Sequence, residues 1–568
     1  MTLPIRTLAT ILFLALYVLP ASAQVPTGTP PFGSFAGGPD ILNLANLNSH
    51  ITVPVLHKPD RGTNFDYDLS YDSSVWYPVT SGSTTTWQPV LNWGWRGQTE
   101  VATGYLSYSQ RTTNCGCTFD HGVCIPKGQT ITDFNFVYHD NFGVPHAFLG
   151  DAQAKWGSCG SATPSLTVTA TDGSGYTLQF TGPATITYPN GEIINPPINN
   201  SAGAATATDR NGNQISVSST GVFTDTLGTT ALTVSQSAPS PTTPVTFTYT
   251  APSGASAAYT MKYSALTVQT KFACSGISDY GPTANNLVTE IDLPDILVNP
   301  NDKYTFTYEP TPGVPANVTG RLASVTLPTG GTITYTYNNG NITGSAASNG
   351  IVCADGSTAG FTRQTPDGTW TYARALGTGA ASTTTITDPE RDILAPNGND
   401  TVIQFQGLYE TQRQTYQGSL ASGTLLKTVN TCYNASTVPC TGTAVTLPIT
   451  QRDITDIYPS NILCLHTYKY NSFGMLTNQF DHDYGPPGST PLIRETDITF
   501  AALGNNISAF QQTVTVKDGS GTAVAAPLTL LSCRSRCGRG RRCANCWPGG
   551  SACACRCGRR GGICGMGA

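Results

Sequence analysis

Charged side chains are scarce in this chain of 568 residues, because only 11% are Asp, Glu, Lys or Arg, against about a quarter in an average globular protein. Methionine is also rare, with four residues, whereas glycine numbers 59 and proline 39. Gly and Pro interrupt helices, while the abundant Thr and Tyr favour strands. The composition therefore argues against a helical protein and predicts strands joined by turns.

No apolar run long enough to span a membrane follows the first 23 residues. The N-terminus itself has a positive Arg6, an apolar stretch from Ala9 to Leu19 and the small-residue site Ala21-Ser22-Ala23. This order is typical of a signal peptide over residues 1–23. The alternative is an uncleaved anchor helix, but the apolar stretch is shorter than the roughly 20 residues that a span needs. We expect a mature chain without a transmembrane helix that is secreted, extracellular or on the cell surface, with the periplasm as a further possibility.

Catalytic sequence motifs are lacking too. The chain contains no HExxH, no GxSxG and no phosphate-binding loop. A triad assembled in space from distant residues is not visible in a sequence, and nothing in the pattern favours one. We therefore expect no enzymatic activity, no catalytic residue, no cofactor and no metal site.

Charge is distributed unevenly. Residues 533–568 hold eight Arg, eight Cys and no acidic residue, whereas the whole chain has a formal net charge of −5. The preceding residues thus have a net charge of −13, which argues against nucleic acid as a partner. The tail has no apolar periodicity, and its composition is what a frameshift in GC-rich DNA would produce. We expect residues 533–568 to be disordered; a zinc or RNA-binding tail is the alternative.

A short unit recurs along the chain. One copy is Tyr468-Lys469-Tyr470-Asn471-Ser472-Phe473-Gly474-Met475-Leu476, in which two tyrosines share one face of a strand and Asn and Gly provide the positive φ of a tight turn. Gly320-Arg321-Leu322 is a second half of such a unit, and Tyr335-Thr336-Tyr337-Asn338-Asn339-Gly340 is a first half. A single hairpin cannot bury a core, so successive units must stack.

These units resemble the tyrosine–aspartate (YD) repeat, Y-x-Y-D-x-x-G-R-L, of RHS-repeat proteins, with Asn338 and Asn471 in place of the Asp. The resemblance covers about residues 40–530. It implies an all-β fold in which antiparallel hairpins stack into extended, curved sheets that form a shell. Family members continue into a core segment and a variable effector, which we do not find in this sequence.

Composition divides the chain into segments that we predict as follows: a signal peptide (1–23), a flexible lead-in (24–40), a β-rich N-terminal region with a cysteine cluster (41–160), a Thr/Ser-rich β-hairpin region (161–299), a YD-repeat-like β region (300–532) and the Cys/Arg/Gly-rich tail (533–568).

The cysteines of the body form one dense cluster, Cys115, Cys117 and Cys124, with Cys159 downstream. A Cys₃His zinc site with His121 is one interpretation. Disulfides are favoured because a signal peptide leads to an oxidising compartment. Cys115 and Cys117 are then expected to bond to different partners, although the connectivity is not readable. Cys432 and Cys440 form a second candidate pair, and Cys274, Cys353 and Cys464 are left over.

Aromatic residues offer a further candidate site. Trp87, Trp93, Trp95 and Tyr105 lie close together in the sequence and could stack on sugar rings. Tryptophans of this kind also fill β cores.

We therefore predict a non-enzymatic scaffold for surface interaction or effector encapsulation, with an unknown surface or polysaccharide partner. The alternatives are a carbohydrate-binding module that uses exposed aromatic residues and, third, a secreted hydrolase.

Overall fold

A computed structural model describes residues 26–59, 64–121, 123–235, 238–339, 349–389, 398–501, 503–504 and 507–525. The predicted signal peptide and the Cys/Arg/Gly-rich tail lie outside these residues. Strands make up 57% of the structure and helix 1%, which confirms the prediction of an all-β protein.

The N-terminal part contains the helix α1 (Glu100–Thr103) and strands that form several small sheets. These strands are β1 (Phe35–Gly37), β2 (Asp40–Asn43), β3 (Ser49–Lys58), β4 (Phe65–Asp72), β5 (Trp76–Ser81), β6 (Thr84–Pro89), β7 (Trp95–Arg96), β8 (Tyr105–Asp120), β9 (Val123–His139), β10 (Pro145–Phe148) and β11 (Ala152–Gly157). Part of the lead-in that was expected to be flexible is therefore a strand, β1.

The remaining strands follow in steady succession. They are β12 (Leu166–Thr169), β13 (Thr177–Phe180), β14 (Ala184–Thr187), β15 (Ile193–Asn195), β16 (Ala205–Thr208), β17 (Gln214–Val217), β18 (Val222–Thr224), β19 (Thr230–Val234), β20 (Val245–Thr250), β21 (Ser256–Val268), β22 (Ile277–Ser278), β23 (Thr283–Asp292), β24 (Lys303–Thr311), β25 (Val314–Thr326), β26 (Thr332–Tyr337), β27 (Gly360–Thr365), β28 (Gly368–Leu376), β29 (Ala381–Thr387), β30 (Asp400–Gln406), β31 (Tyr409–Gln417), β32 (Thr424–Tyr433), β33 (Gln451–Ile457), β34 (Leu463–Tyr470), β35 (Leu476–His482), β36 (Leu492–Phe500), β37 (Gln511–Asp518) and β38 (Ala523–Ala525).

Within the described residues, β12 to β38 form one sheet of 26 strands in which each strand pairs antiparallel with the next along the chain. Only β22 leaves this order, and it pairs in parallel with β6 of the N-terminal part. Successive hairpins are thus the building principle, as the repeat pattern predicted. The alternation is visible in β29, where Ser382, Thr384 and Ile386 are buried and their neighbours are half-buried.

The N-terminal sheet β1-β2-β3-β4-β7 packs on the large sheet through one continuous core. Val53, Tyr67 and Tyr71 of β3 and β4 are fully buried together with Phe247 and Ile403 of the large sheet. A second core lies between β8–β11 and the first strands of the large sheet, around Phe136 and Phe180. The N-terminal strands therefore pack against the repeat sheet through two shared hydrophobic cores.

The large sheet returns to its own beginning. The turn after β12 at Gly173 contacts the turn after β34 at Phe473 and Gly474. Pro189, in the turn after β14, accepts hydrogen bonds from the backbone N–H groups of Ser508 and Ala509 at 2.9 Å. We call these contacts the seam. Twenty-two strands after it starts, the sheet thus lies against its first hairpins.

Within the part of the chain that the structure describes, we find no helix whose length and apolar character would let it cross a membrane.

Candidate interaction site

One β-hairpin extends beyond the rest of the molecule. Strands β8 and β9 pair antiparallel over almost their whole length, from Tyr105–His139 to Asp120–Val123. Residues 109–127, apart from the half-buried Cys115 and Pro126, are exposed where they are described. We call residues 109–127 the arm. Because a two-stranded hairpin in water is at best marginally stable, the arm needs support other than a core.

Disulfides provide that support. Cys117 pairs with Cys124 across the arm, seven residues apart, and Cys115 pairs with Cys159 in the connection after β11. The four clustered cysteines thus form two disulfides, and Cys115 and Cys117 have different partners. No group of His, Cys, Asp or Glu that could hold a metal ion is found in the described residues, and the thiolates that the zinc interpretation requires are consumed by these bonds.

The tip of the arm has large apolar side chains in water. Phe119 is 72% exposed, Val123 65% and Ile125 49%. Phe119 pairs with Cys124 and Ile125 with Thr118, so the two side chains project from opposite faces of the hairpin. Large apolar side chains grouped in water at the end of a protrusion are typical of surfaces that contact a protein or a membrane.

Charges accompany this apolar tip. Asp120 and His121 lie at its end, with His121 Nδ1 at 2.7 Å from Asp120 Oδ1, and both are exposed. Because a bilayer interior penalises an acidic group strongly, this end suits a protein or glycan surface with polar groups better than deep insertion into lipid.

The four aromatic residues that were candidates for sugar stacking do not form an exposed platform. Trp87 is fully buried with its ring edge-to-face on Phe272 at 5.5 Å, and Tyr105 is buried and stacked on His139 at 4.4 Å. Trp93 and Trp95 are half-buried against the main core. The prediction that Trp87 and Tyr105 contribute to an exposed stacking surface is therefore wrong, because both rings are buried against other rings of the protein.

A small polar cavity lies beside these aromatic residues, lined among others by Trp93, Arg96, Tyr105 and His139. Its volume of about 20 Å³ accommodates a water molecule and no sugar ring. The cavity thus offers no room for a carbohydrate in this conformation.

Buried titratable side chains surround the cavity. Burial opposes ionisation of Asp72, but the charges of His50 and Arg96 hold the pKa of that carboxyl well below its usual range. Burial lowers the pKa of His139 to about 3, so its imidazole is neutral. The Asp72 carboxylate also accepts a hydrogen bond from the Gly28 N–H at 3.0 Å. Asp72 thus has partners within the protein, and through it the segment at Gly28 is held against β4.

The repeat motif itself has a structural task that sequence reasoning missed. Arg321, of the Gly-Arg-Leu triplet, is buried and forms a two-pronged ion pair with Glu309 at 2.7 and 2.8 Å. Tyr71 donates a hydrogen bond to the Gly320 carbonyl at 2.9 Å, and Trp76 Nε1 donates to the Thr319 carbonyl at 2.7 Å. The triplet therefore binds the N-terminal sheet.

A tyrosine of the Tyr-x-Tyr half acts in the same way. The Tyr335 hydroxyl donates to Asp40 Oδ2 at 2.7 Å, and Arg363 Nε donates to the same oxygen at 2.8 Å. Asp40 is 1% exposed and lies on β2. Tyr335 and the backbone of the Gly320-Arg321-Leu322 triplet thus both bond to strands of the N-terminal sheet.

The remaining five cysteines of the described residues form two further disulfides and leave one free thiol. Cys432 pairs with Cys440, and Cys274 pairs with Cys353 at a separation of 79 residues. Cys464 is the one free cysteine among the described residues. Because 79 residues separate Cys274 from Cys353, no local spacing could have predicted their bond.

No protein-family model matches this chain, and no curated protein matches it. Among solved structures, the crystal structure of TcdB2-TccC3 is similar at a TM-score of 0.21 and 8% identity, over 83% of this chain and 24% of that chain. The chain thus spans about a quarter of the length of that structure. Likeness at this level carries no argument about function, which must come from the molecule itself.

Proposed function

We propose that the chain is a non-enzymatic scaffold of the RHS/YD-repeat type, secreted or displayed at a cell surface, which contacts a surface partner through the arm. The observation that supports this proposal is the exposed arm, which two disulfides constrain and which has large apolar side chains at its tip. Disulfides constrain a chain that would otherwise sample many conformations, and a constrained apolar protrusion is suited to docking without a large loss of conformational entropy.

The cysteine pairs support the location. Disulfides persist in oxidising compartments and are rare in the cytosol. Four pairs at bonding geometry within the described residues therefore favour a protein that acts outside the cytosol, in agreement with the predicted signal peptide.

Encapsulation of an effector is the other role of such scaffolds, and it is less favoured by the packing. The face of the large sheet from β16 to β30 is occupied by the N-terminal sheet through a continuous core. The N-terminal sheet therefore covers the sheet face on which an enclosed effector would lie. The arm, in contrast, is exposed and available for contact with a partner.

The experiment compares binding of the mature chain and of the triple variant Phe119→Ser, Val123→Ser, Ile125→Ser to immobilised cell-surface polysaccharides, peptides and intact cells. We expect the variant to lose at least about tenfold in affinity for the partner found, since apolar anchors dominate such contacts. The matched control is Leu297→Ser with Val298→Ser, which removes apolar side chains that are 95% and 87% exposed elsewhere. Unchanged binding by the triple variant would contradict a role of the arm.

The same purified protein tests the non-enzymatic part of the proposal. Hydrolysis of any member of a glycan and peptide panel, absent from a heat-denatured sample, would overturn it.

Carbohydrate binding remains the alternative function, and it requires Trp93 and Trp95. Loss of glycan-array signal in Trp93→Ala or Trp95→Ala would favour this alternative over contact through the arm.

A further inference from the structure

Cys464, His466 and Asp481 form a chain of side chains on β34 and β35. Cys464 and His466 are two residues apart, so they share one face of the strand, and His466 lies directly opposite Asp481 in the register. The Cys464 Sγ is 3.5 Å from His466 Nε2, and His466 Nδ1 is 2.8 Å from Asp481 Oδ1. This order, a thiol beside a base that a carboxylate orients, is the arrangement of an assisted nucleophile.

The tautomer of His466 follows from its carboxylate partner. Burial opposes ionisation of Asp481, but hydrogen bonds from Gln479, His466 and Arg494 lower its pKa. An ionised carboxylate only accepts hydrogen bonds, so the neutral imidazole donates from Nδ1 and keeps a lone pair on Nε2. That lone pair faces the thiol and is free to take its proton.

The thiol at rest is neutral. Burial raises the pKa of Cys464, and the nearby carboxylates of Asp456, Asp483 and Asp481 raise it further. The sulfur also lies 3.1 Å from the His482 carbonyl oxygen, to which the thiol donates. A buried neutral thiol reacts slowly unless a base removes its proton as the new bond forms. Cys464 is 4% exposed, and the side chain of the adjacent His466 is about one-third exposed.

We propose that Cys464 is a base-assisted thiol that forms a mixed disulfide with small disulfides, with His466 as the proton acceptor and Asp481 as a positioning residue. The Cys464 proton moves to His466 Nε2 while the sulfur attacks one sulfur of the disulfide. The S–S bond of the reagent breaks as the bond to Cys464 forms, and the released thiolate takes the proton from the imidazolium. The disulfide is the oxidant, and no further reactant is needed.

The carboxylates around Cys464 determine which charge on a disulfide reagent favours its reaction. Asp456 is paired with Lys427 and Asp481 with Arg494, whereas Asp483 takes part in no ion pair among the described residues. One negative charge is therefore in excess around the sulfur, so a cationic disulfide such as cystamine is expected to react faster than anionic oxidised glutathione.

The test follows adduct formation on the peptide that contains Cys464 in the folded full-length chain, by proteolysis and mass spectrometry, because the sequence contains further cysteines in residues 533–568. We expect His466→Gln to slow the reaction with cystamine at pH 7 by at least about tenfold. The matched control His482→Gln, whose ring bonds the Thr490 carbonyl rather than the thiol, should react like the native chain. In urea, where the arrangement is lost, the native chain and His466→Gln should react equally.

The pH profile separates a base from a merely structural histidine. Without the base, the rate must rise in proportion to hydroxide over the range below the thiol pKa, whereas the native chain should rise less steeply. An unmodified Cys464 in the folded chain, or His466→Gln with native rate and native pH dependence, would overturn the proposal.

Discussion

At the residue scale, the molecule depends on a few charged groups buried with their partners. Glu100 is one exception among the described residues, because its Oε2 has no hydrogen-bond partner and the residue is buried on α1. Burial raises the pKa of this carboxyl to about 7 despite backbone N–H groups and Arg96 that oppose the shift. Glu100 is therefore a group whose ionisation weakens the fold near neutral pH.

The sign of this effect can be tested. A carboxyl with a raised folded-state pKa binds more protons in the folded than in the unfolded chain between the two pKa values, so stability falls as the pH rises across that interval. With an ordinary value of 4.5 and a folded value of about 7, the loss is about 3 kcal/mol at most. We expect Glu100→Gln to raise the free energy of unfolding at pH 8 and to change it little at pH 5. A variant that is equally stabilising at both pH values would contradict this explanation.

The ion pair of Arg321 and Glu309 makes a second prediction at this scale. Removal of one partner leaves a buried charge without compensation, which costs about 3 kcal/mol or more. Arg321→Ala should therefore lower the free energy of unfolding by about that amount, measured by urea titration. Arg111→Ala, in an exposed pair with Asp151 at 3.5 Å, is the control and should change it by less than about 1 kcal/mol.

At the element scale, a hairpin forms from neighbouring residues, so its turn can be predicted from the sequence. Asn471 and Gly474 were predicted to form a turn, and the structure has Gly474 at φ +70° between β34 and β35. What the turn touches was not predictable, because its neighbour Gly173 belongs to a hairpin 22 strands earlier. The same holds for Cys274 and Cys353, whereas Cys432 and Cys440 are close enough in sequence to have been recognised as a pair.

The seam can be probed at this turn. A Cβ on Gly474 would overlap the carbonyl oxygen of Gly173, whereas a Cβ on Gly330, at a similar φ of +86°, meets open space. Both Gly→Ala changes place a side chain at a positive φ, which costs about 1 kcal/mol of backbone strain in each case. We expect Gly474→Ala to destabilise the chain more than Gly330→Ala in thermal unfolding. Equal losses would mean that the two ends of the sheet do not touch.

The arm makes the opposite prediction, because it contributes little to the core. The double change Cys117→Ser with Cys124→Ser should admit protease cleavage between residues 117 and 124 while the melting temperature of the body stays within about 2 °C. Unfolding of the whole chain by this pair of changes would show that the arm is part of the core.

At the scale of the whole molecule, the repeat sheet and the N-terminal sheet depend on each other. The sequence resemblance predicted stacked hairpins, but neither the resemblance nor the composition indicated that the N-terminal sheet packs on the repeat sheet through one continuous core. That arrangement depends on pairs such as Asp40 with Arg363, separated by 323 residues, and on aromatic residues whose partners lie on other sheets. Alternation in single strands cannot reveal which surface covers them.

Hydrogen exchange of the mature chain, followed by mass spectrometry across a denaturant series, tests this mutual dependence most directly. If the N-terminal sheet and the repeat sheet share one core, the amides of β3 and of β25 and β26 should open in one cooperative unit. Their free energies of opening should then agree within about 1 kcal/mol. If β3 exchanges at much lower free energy while β25 and β26 remain protected, the two sheets are independent and the shared core is contradicted.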